Sequence, residues 1–394
     1  MTSPTHDLVL FGATGFTGGL TAEYLARHAP PGCRWALAGR NPTKLDAVRD
    51  RLVAINPELR SLPLLVADVN DADSLAAVAA SSRVVVSTVG PYLEYGEPLV
   101  AACAEAGTDY LDLTGEAEFV DRMYVAHHRR ATETGARIVH CSGFDSIPYD
   151  LGVRFTVLQL PEDVPLRVKG MVRASGTISG GTFASALTAI SRARQSKEVS
   201  DRRRRMEERP EGRKVRLTAR QPHYDEEFGH WLVPLPLVDP KVVKRSAAAL
   251  ARYGPDFTYS HYAGVKRLPV MLAGLAGVGT VAAAAQVPPL RSLMQRVAPQ
   301  GEGPSQEQRD RSWFAARFIG EGGGRRVTTE VSGGDPGYDE TAKMLGEAAL
   351  CLAFDDNPPS SGQVTTAVAM GEHLTQRLVH AGIRFEVLEQ ESVA

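Results

Sequence analysis

The sequence is poor in cysteine and has no surplus of charge of either sign. Its four cysteines, Cys33, Cys103, Cys141 and Cys351, stand far apart, with no CxxC pair and no Cys/His metal spacing. Neither a disulfide framework nor a structural metal is expected from such a pattern. Lys and Arg number 44 against 46 Asp and Glu, a formal charge of -2. So balanced a chain has no global field to gather nucleic acid or an anionic membrane, and its electrostatic work must be local. The first residues, MTSPTHDLVLFGATG, lack a basic stretch followed by an apolar signal core, and no internal repeat recurs. These absences predict a cytoplasmic protein with reduced thiols. At 394 residues there is room for two or three domains, each with its own core.

What is present is a regular alternation of apolar runs and helical patterns over the first third of the chain. Asp7 to Phe11 is a short apolar run that meets Gly12-Ala13-Thr14-Gly15-Phe16-Thr17-Gly18, followed by a helix over 20–28. Strand, glycine turn, helix is the arrangement in which one glycine makes a tight turn, one lets backbone approach a pyrophosphate, and one lets helix pack on strand. The spacing is GxxGxxG, and an ordinary glycine-rich turn remains the alternative. The next strand, 34–39, ends in Arg40, where a NAD-specific protein would carry an acidic residue. A guanidinium there suits the 2′-phosphate of NADP(H), against the plainer reading of a solvated strand end. A third strand, 62–67, delivers Asp68 and Val69 to the adenine region, with Asp71 and Asp73 competing to cap the next helix. The fully apolar run 83–89 leads into Thr88, Val89, Gly90 and Pro91, expected beside the nicotinamide ribose; a simple turn is the alternative. Helix 97–106, strand 108–113, helix 117–134 and strand 137–141 complete an α/β, Rossmann-type doubly wound parallel sheet with implied strand order 3-2-1-4-5-6.

The residues that carry chemistry are expected where the sixth strand ends. Ser142 to Asp150 joins the first domain to the rest and should line a cleft, with Asp145 orienting a proton donor or a substrate, or else merely starting a helix. Tyr92 is the first choice for the acid that protonates the product of hydride transfer, with a buried aromatic as its alternative. Tyr110 and Asp112 share one face of the fifth strand, so Asp112 is expected to reach the cleft. Glu116 fits either the cleft or the first turn of the next helix. His127 and His128 read as solvated surface, and nothing marks Cys141 as an activated thiolate.

Beyond Asp150 the rhythm stops. A strand over 166–175, a helix over 180–195, a strand over 325–332, helices over 341–353 and 364–381 and a last strand over 384–388 are expected. Gly176, Gly180 and Gly181, with Thr177 and Ser179, read as weak site positions or turns. The arginine run 202–205 is followed by Glu207, Glu208 and Glu211, which favours a solvated helix over a nucleic-acid patch. Residues 268–290 carry no charge and are framed by Lys266, Arg267 and Arg291. A membrane span, a surface-lying lipid contact and a buried or partner-facing helix stay open for this segment. Residues 300–312 read as an exposed loop. The expected division is 1–145 for an NADP-binding Rossmann domain, 146–340 for an α+β domain closing over the substrate, and 341–394 for a segment returning to the first domain.

Taken as a set, FGATGFTG, AGR, ADV, STVGPY, YLDLTGE, HCSGFDSIPYDLG and the glycine-rich 176–182 make the chain resemble the saccharopine dehydrogenase-like oxidoreductases, in the branch that includes trans-acting enoyl reductases. The resemblance implies an NADP(H)-dependent oxidoreductase with a second α+β domain over the nicotinamide. The reaction expected first is reduction of a carbon–carbon double bond in a lipid or polyketide-type thioester. A saccharopine-like imine reductase and a non-catalytic NADP-binding lipid-surface protein are the alternatives. The expected partners are a small-molecule or acyl-thioester substrate, free or presented by a carrier protein, and no nucleic acid. Peripheral membrane contact and a homodimer are left open.

Overall fold

The computed structural model describes residues 4–175, 191–285 and 303–393. The first part alternates β1 (His6–Phe11), α1 (Phe16–His28), β2 (Trp35–Gly39), α2 (Pro42–Ile55), β3 (Leu64–Val66), α3 (Ala72–Ser81), β4 (Ser82–Ser87), α4 (Tyr92–Tyr95), α5 (Glu97–Ala106), β5 (Asp109–Asp112), α6 (Ala117–Thr134) and β6 (Arg137–Val139). It then passes through α7 (Ile147–Leu158) into β7 (Leu166–Ser175), β8 (Lys214–Leu217), β9 (His223–Asp225), β10 (His230–Pro234), β11 (Asp256–Val265), β12 (Trp313–Gly322) and β13 (Arg325–Gly333). Two further strands close the chain, β14 (Gly362–Val364) and β15 (Arg384–Ser392).

The first sheet runs β14-β6-β5-β4-β1-β2-β3, every pair parallel. Its order is the expected one with β14 added outside β6. Sequence reading placed Val364 in a helix, because a three-residue strand is too short to show a period of its own. Leu8, Leu10, Val84 and Val86 pack on one face of the sheet, while Val9, Phe11, Val85 and Tyr110 pack on the other. That alternation explains why β1 and β4 are apolar throughout: helices cover both faces. Asn41 and Asp71 cap α2 and α3 through their side chains.

The second sheet runs β15-β13-β12-β7-β11-β10-β9, with β8 paired to β11. Helix α7 carries the chain onto it and packs against β12 and β13. A Cβ on Gly152 would lie 2.5 Å from the Phe318 ring, so only glycine lets this helix approach the sheet so closely. The last residues divide between the two sheets. The helix Asp339–Phe354 packs on α1 and β14 extends the first sheet, but β15 pairs antiparallel with β13 of the second. The expectation that all of 341–394 returns to the first domain is therefore corrected at β15, which pairs the otherwise open edge of β13.

Two other expectations change. In the helix Ala193–Met206, Arg203 is buried against Asp121 (2.6 Å) and Glu207 (2.5 Å) rather than solvated. The helix Leu268–Ala285 leaves Val270, Leu272, Leu275 and Val278 exposed, and among the described residues no helix is long and apolar enough to cross a membrane. Within 300–312, residues 306–310 form a short helix with a complete capping box from Ser305 and Gln308.

The parts meet at Asp150, which is fully buried on α7. Its carboxylate accepts from Ser246 Oγ (2.5 Å), Thr366 Oγ1 (2.7 Å) and the Ala367 amide (2.8 Å), tying α7 to the helix Asp239–Ala249 and to the C-terminal region. Asp150→Ala strands three buried donors and is expected to cost about 3 kcal/mol of stability. A urea denaturation midpoint equal to that of the wild type would show that this junction is held elsewhere.

Candidate functional site

The site is built where β1 and β4 end side by side, at the point where the strand order turns outward in both directions. Gly12 sits at φ 98, and a Cβ on it would lie 2.7 Å from Val89 Cγ2 and 2.8 Å from Thr88 Oγ1. A Cβ on Gly18 would lie 2.3 Å from the Gly12 carbonyl oxygen. Both positions therefore exclude any side chain, and their closeness welds the glycine turn to the end of β4. Thr88 completes the weld, its amide and hydroxyl both donating to the Phe11 carbonyl at 2.9 and 3.2 Å.

Gly15, by contrast, is exposed and begins α1 with no side-chain cap. The first amides of α1 thus have no side-chain cap to take their hydrogens, which leaves them for an anion. Thr14 is exposed beside Gly15, Ala13 is buried behind it and Thr17 is half-buried. Phe16 lies edge-on to Tyr338 (5.0 Å) and under the Arg309 guanidinium (5.6 Å), so residues from beyond the first domain reach over the glycine turn.

Arg40 stands exposed at the end of β2 with no hydrogen bond or ion pair to any described residue. Asp68 and Val69, both half-buried, follow β3. Asp71 takes the capping of α3, while Asp68 Oδ1 accepts from the backbone and side chain of Asn70, each at 2.9 Å. Arg40, Asp68, the glycine turn and Thr88 to Pro91 therefore line one edge of the sheet in the order a dinucleotide would cross it.

Two of the residues chosen for catalysis are committed elsewhere. The Tyr92 hydroxyl is buried, donates to the Ser87 carbonyl (3.0 Å) and accepts from the Leu113 amide (3.2 Å); burial, with Asp112 nearby, pushes its phenol well up. It braces the end of β4 against the residue that follows β5. Asp112 is fully buried: Oδ1 accepts from the Thr114 and Cys141 amides (both 3.1 Å) and Oδ2 pairs with His140 Nδ1 (2.6 Å). Its work is to hold the turn after β6, where Cys141 takes a left-handed φ of 62. Glu116 accepts from the Tyr92 and Leu93 amides at 3.0 and 2.9 Å, so it caps the neighbouring α4 instead of entering the cleft. Burial pushes the Cys141 thiol well up, which leaves it unreactive.

Asp145 has a different setting. It follows that turn, half-buried, with Oδ2 close enough to Gly115 that a Cβ there would sit 3.1 Å away. It thus lies at the ends of β5 and β6, where the first sheet faces the second. Burial pushes its carboxyl up to about 6. Next to it, Ser146 Oγ donates to Asp239 Oδ1 (2.9 Å), and Asp239 Oδ2 lies 3.9 Å from His261 Nε2. Tyr259 shares a 2.8 Å hydrogen bond with His261 Nδ1, and the Tyr149 ring meets His261 edge-on at 4.8 Å. Gly176, Thr177, Ser179, Gly180 and Gly181 lie outside the described residues.

Comparison with known proteins gives the family. Residues 8–139 match the family model described as the saccharopine dehydrogenase NADP binding domain. The chain is 39% identical over 412 residues to a Mycobacterium tuberculosis protein assigned provisionally as a trans-acting enoyl reductase, covering 96% of this chain and 97% of that one. It is 37% identical over 411 residues to the trans-acting enoyl reductase of Mycobacterium ulcerans, covering 96% of each. The chain belongs to the saccharopine dehydrogenase-like family, with the trans-acting enoyl reductases. Its fold extends to a solved structure, the apo saccharopine dehydrogenase (L-Glu forming) of Saccharomyces cerevisiae, at a TM-score of 0.57 and 12% identity, covering 99% of this chain and 100% of that one.

As a member of this family the chain binds NADP(H), and the uncapped α1 terminus fits the pyrophosphate. Asp239, Tyr259 and His261 were invisible as site residues in the sequence. The sequence reading assigned no element at 239–240 or 256–265. Their only signal was a pair of polar side chains two residues apart in β11, which turns inward when the second sheet packs on α7. Arg40→Ala is expected to weaken NADPH binding roughly ten-fold, the worth of one charge-assisted phosphate contact, with NADH binding little changed. Equal losses for both cofactors in a fluorescence titration would remove Arg40 from the 2′-phosphate.

Proposed function

We propose that the protein is an NADPH-dependent enoyl reductase of lipid or polyketide-type acyl thioesters, with Asp145 as the acid that protonates the product. The observation that carries this reading is the half-buried Asp145 carboxyl beside Gly115 at the ends of β5 and β6, pushed up to about 6 by burial, in a chain similar along its length to trans-acting enoyl reductases. When bound, NADPH supplies the hydride to the β carbon of the conjugated alkene. Gly12 to Gly18 and Thr88 to Pro91 hold the pyrophosphate and nicotinamide ribose, Arg40 the 2′-phosphate, and Asp68 and Val69 the adenine end. Closure of the second sheet over this edge excludes water from the reacting carbons. Asp145 then gives its proton to the α carbon, the pairing of acid and environment that general acid catalysis needs near neutral pH.

The names of the relatives, trans-acting, support a substrate presented by a partner such as a carrier protein. The exposed apolar face of Leu268–Ala285, beside Lys266 and Arg267, supports peripheral contact with a lipid surface during acyl transfer.

The test is NADPH oxidation against enoyl thioesters, free and carrier-bound, beside mixtures of amino acid and aldehyde. Turnover of the enoyl substrates is expected, with Asp145→Asn losing kcat by roughly a hundred-fold, the usual worth of a general acid, while NADPH binding persists. Turnover of the imine-forming mixtures alone would replace this reading with imine reduction. Silence with tight NADPH binding would make the protein a non-catalytic binder.

A further inference from the structure

Phe16 opens α1, so its amide is among the first that the helix offers to an anion, yet its ring is held by residues 303–338. Tyr338 meets the ring edge-on at 5.0 Å, and the Arg309 guanidinium lies over it at 5.6 Å. Gly303 passes so near that a Cβ there would overlap the ring. Arg309 fixes this arrangement. It is buried, and its fork is filled: Nε donates to Asp339 Oδ1 (2.9 Å), Nη1 to the Pro304 carbonyl (2.9 Å) and Nη2 to Gln306 Oε1. The segment it anchors is stiffened by its capping box, the Gln308 amide donating to Ser305 Oγ (3.3 Å) and the Ser305 amide to Gln308 Oε1 (3.0 Å). On the other side, Asp335 Oδ2 accepts from the Tyr338 and Asp339 amides at 2.8 and 3.2 Å. A buried guanidinium with acceptors on two separate segments joins them, and its planar fork fixes the geometry of the joint. From the second of these segments Thr341 Oγ1 accepts from the Phe144 amide (3.2 Å), next to Asp145.

We propose that residues 303–310, pinned by Arg309 to Asp339, form a clasp on the pyrophosphate-binding turn that retains the dinucleotide once it is bound. This rests on the placing of the pyrophosphate at the Gly12 to Gly18 turn. Arg309 touches no phosphate, because its donors are already taken; it is a positioning residue that acts through Phe16. Backbone amides hold an anion only while they converge on it. With the Phe16 ring gripped between Tyr338 and Arg309, the first turn of α1 keeps its amides aimed at the pyrophosphate, and it shifts to release the cofactor only when Arg309 lets go of Asp339. The pyrophosphate is common to NADPH and NADH, so the clasp serves both alike, unlike Arg40 at the 2′-phosphate. The bond from Phe144 to Thr341 extends the brace to the neighbour of Asp145, so one stretch of chain holds both the cofactor turn and the loop of the acid.

Stopped-flow fluorescence of the full-length protein reads association and release separately. Arg309→Ala is expected to release NADPH about ten-fold faster, and NADH by the same factor, with association unchanged. A residue that only stabilised the fold would lower the fraction of protein that binds and leave the release rate of the rest unmoved. Arg309→Lys keeps the charge but cannot reach three acceptors as a fork, so it should release both cofactors nearly as fast as Arg309→Ala. Should Arg309→Ala fail to fold, Asp339→Asn keeps the guanidinium and removes its counter-charge, and release of both cofactors should again quicken, by a smaller factor. Hydrogen exchange supplies a readout without turnover: NADPH and NADH should each slow the amides of 304–312 in the wild type, since what holds the cofactor is held by it. Wild-type release rates in these variants, or exchange at 304–312 indifferent to cofactor, overturn the clasp. Gly15→Glu tests the reading beneath it by setting a carboxylate before the α1 amides, and should weaken both cofactors more than about ten-fold. Unweakened binding there would place the pyrophosphate elsewhere and remove the clasp with it. Weakened binding there, with wild-type release from Arg309→Ala, would keep the cofactor site and defeat the clasp alone.

Discussion

The carboxylate of Asp112 fixes the geometry on which the site depends. It stands fully buried where β5 ends, and its two oxygens are taken by the Thr114 and Cys141 amides and by His140. Burying an acid is costly unless its lone pairs are filled, and here they are filled by the backbone of the turn that leaves the first sheet. Because Cys141 is thereby held at a left-handed φ, the chain turns sharply and delivers Asp145, Ser146 and α7 toward the second sheet. Strain of that kind at one residue persists only where surrounding bonds over-determine it.

From this turn outward, polar groups do different work according to whether a partner awaits them. Asp150, Glu116 and Asp112 are buried acids with hydrogen-bond donors, and they join elements. Asp239 is a buried acid with a single hydroxyl donor and a neutral histidine for company, and Asp145 has water on one side. The first group is structural because its charge is satisfied. In the second group burial pushes both carboxyls up, and of the two Asp145 is the one at the ends of β5 and β6.

The edge of the first sheet was legible from residue order because each part of it is local. A glycine turn after an apolar run, an arginine or aspartate after the next strands and a helix after each are read within a few residues, and the parallel order follows from connection rules. Asp112 was placed correctly on β5 and Tyr92 just beyond β4, but their hydrogen bonds tie both to the scaffold. Alternation tells which face a side chain takes and leaves open whether that face is cleft or core. The edge strand β14 and the pairing of β15 with β13 were illegible for a related reason: short or exposed strands acquire their identity from the partner edge they cover.

The sequence by itself determined the doubly wound first domain, the cofactor edge and the family likeness, since these rest on contacts between near neighbours and on backbone geometry that glycine alone permits. Only the tertiary structure decided which acids are spent on scaffolding. Ser146 and Asp239 stand 93 residues apart, and their hydrogen bond beside His261 arises only when the second sheet packs on α7. A carboxyl's readiness to hold a proton is a property of the solvent, donors and charges around it, and those neighbours exist only once the chain has folded.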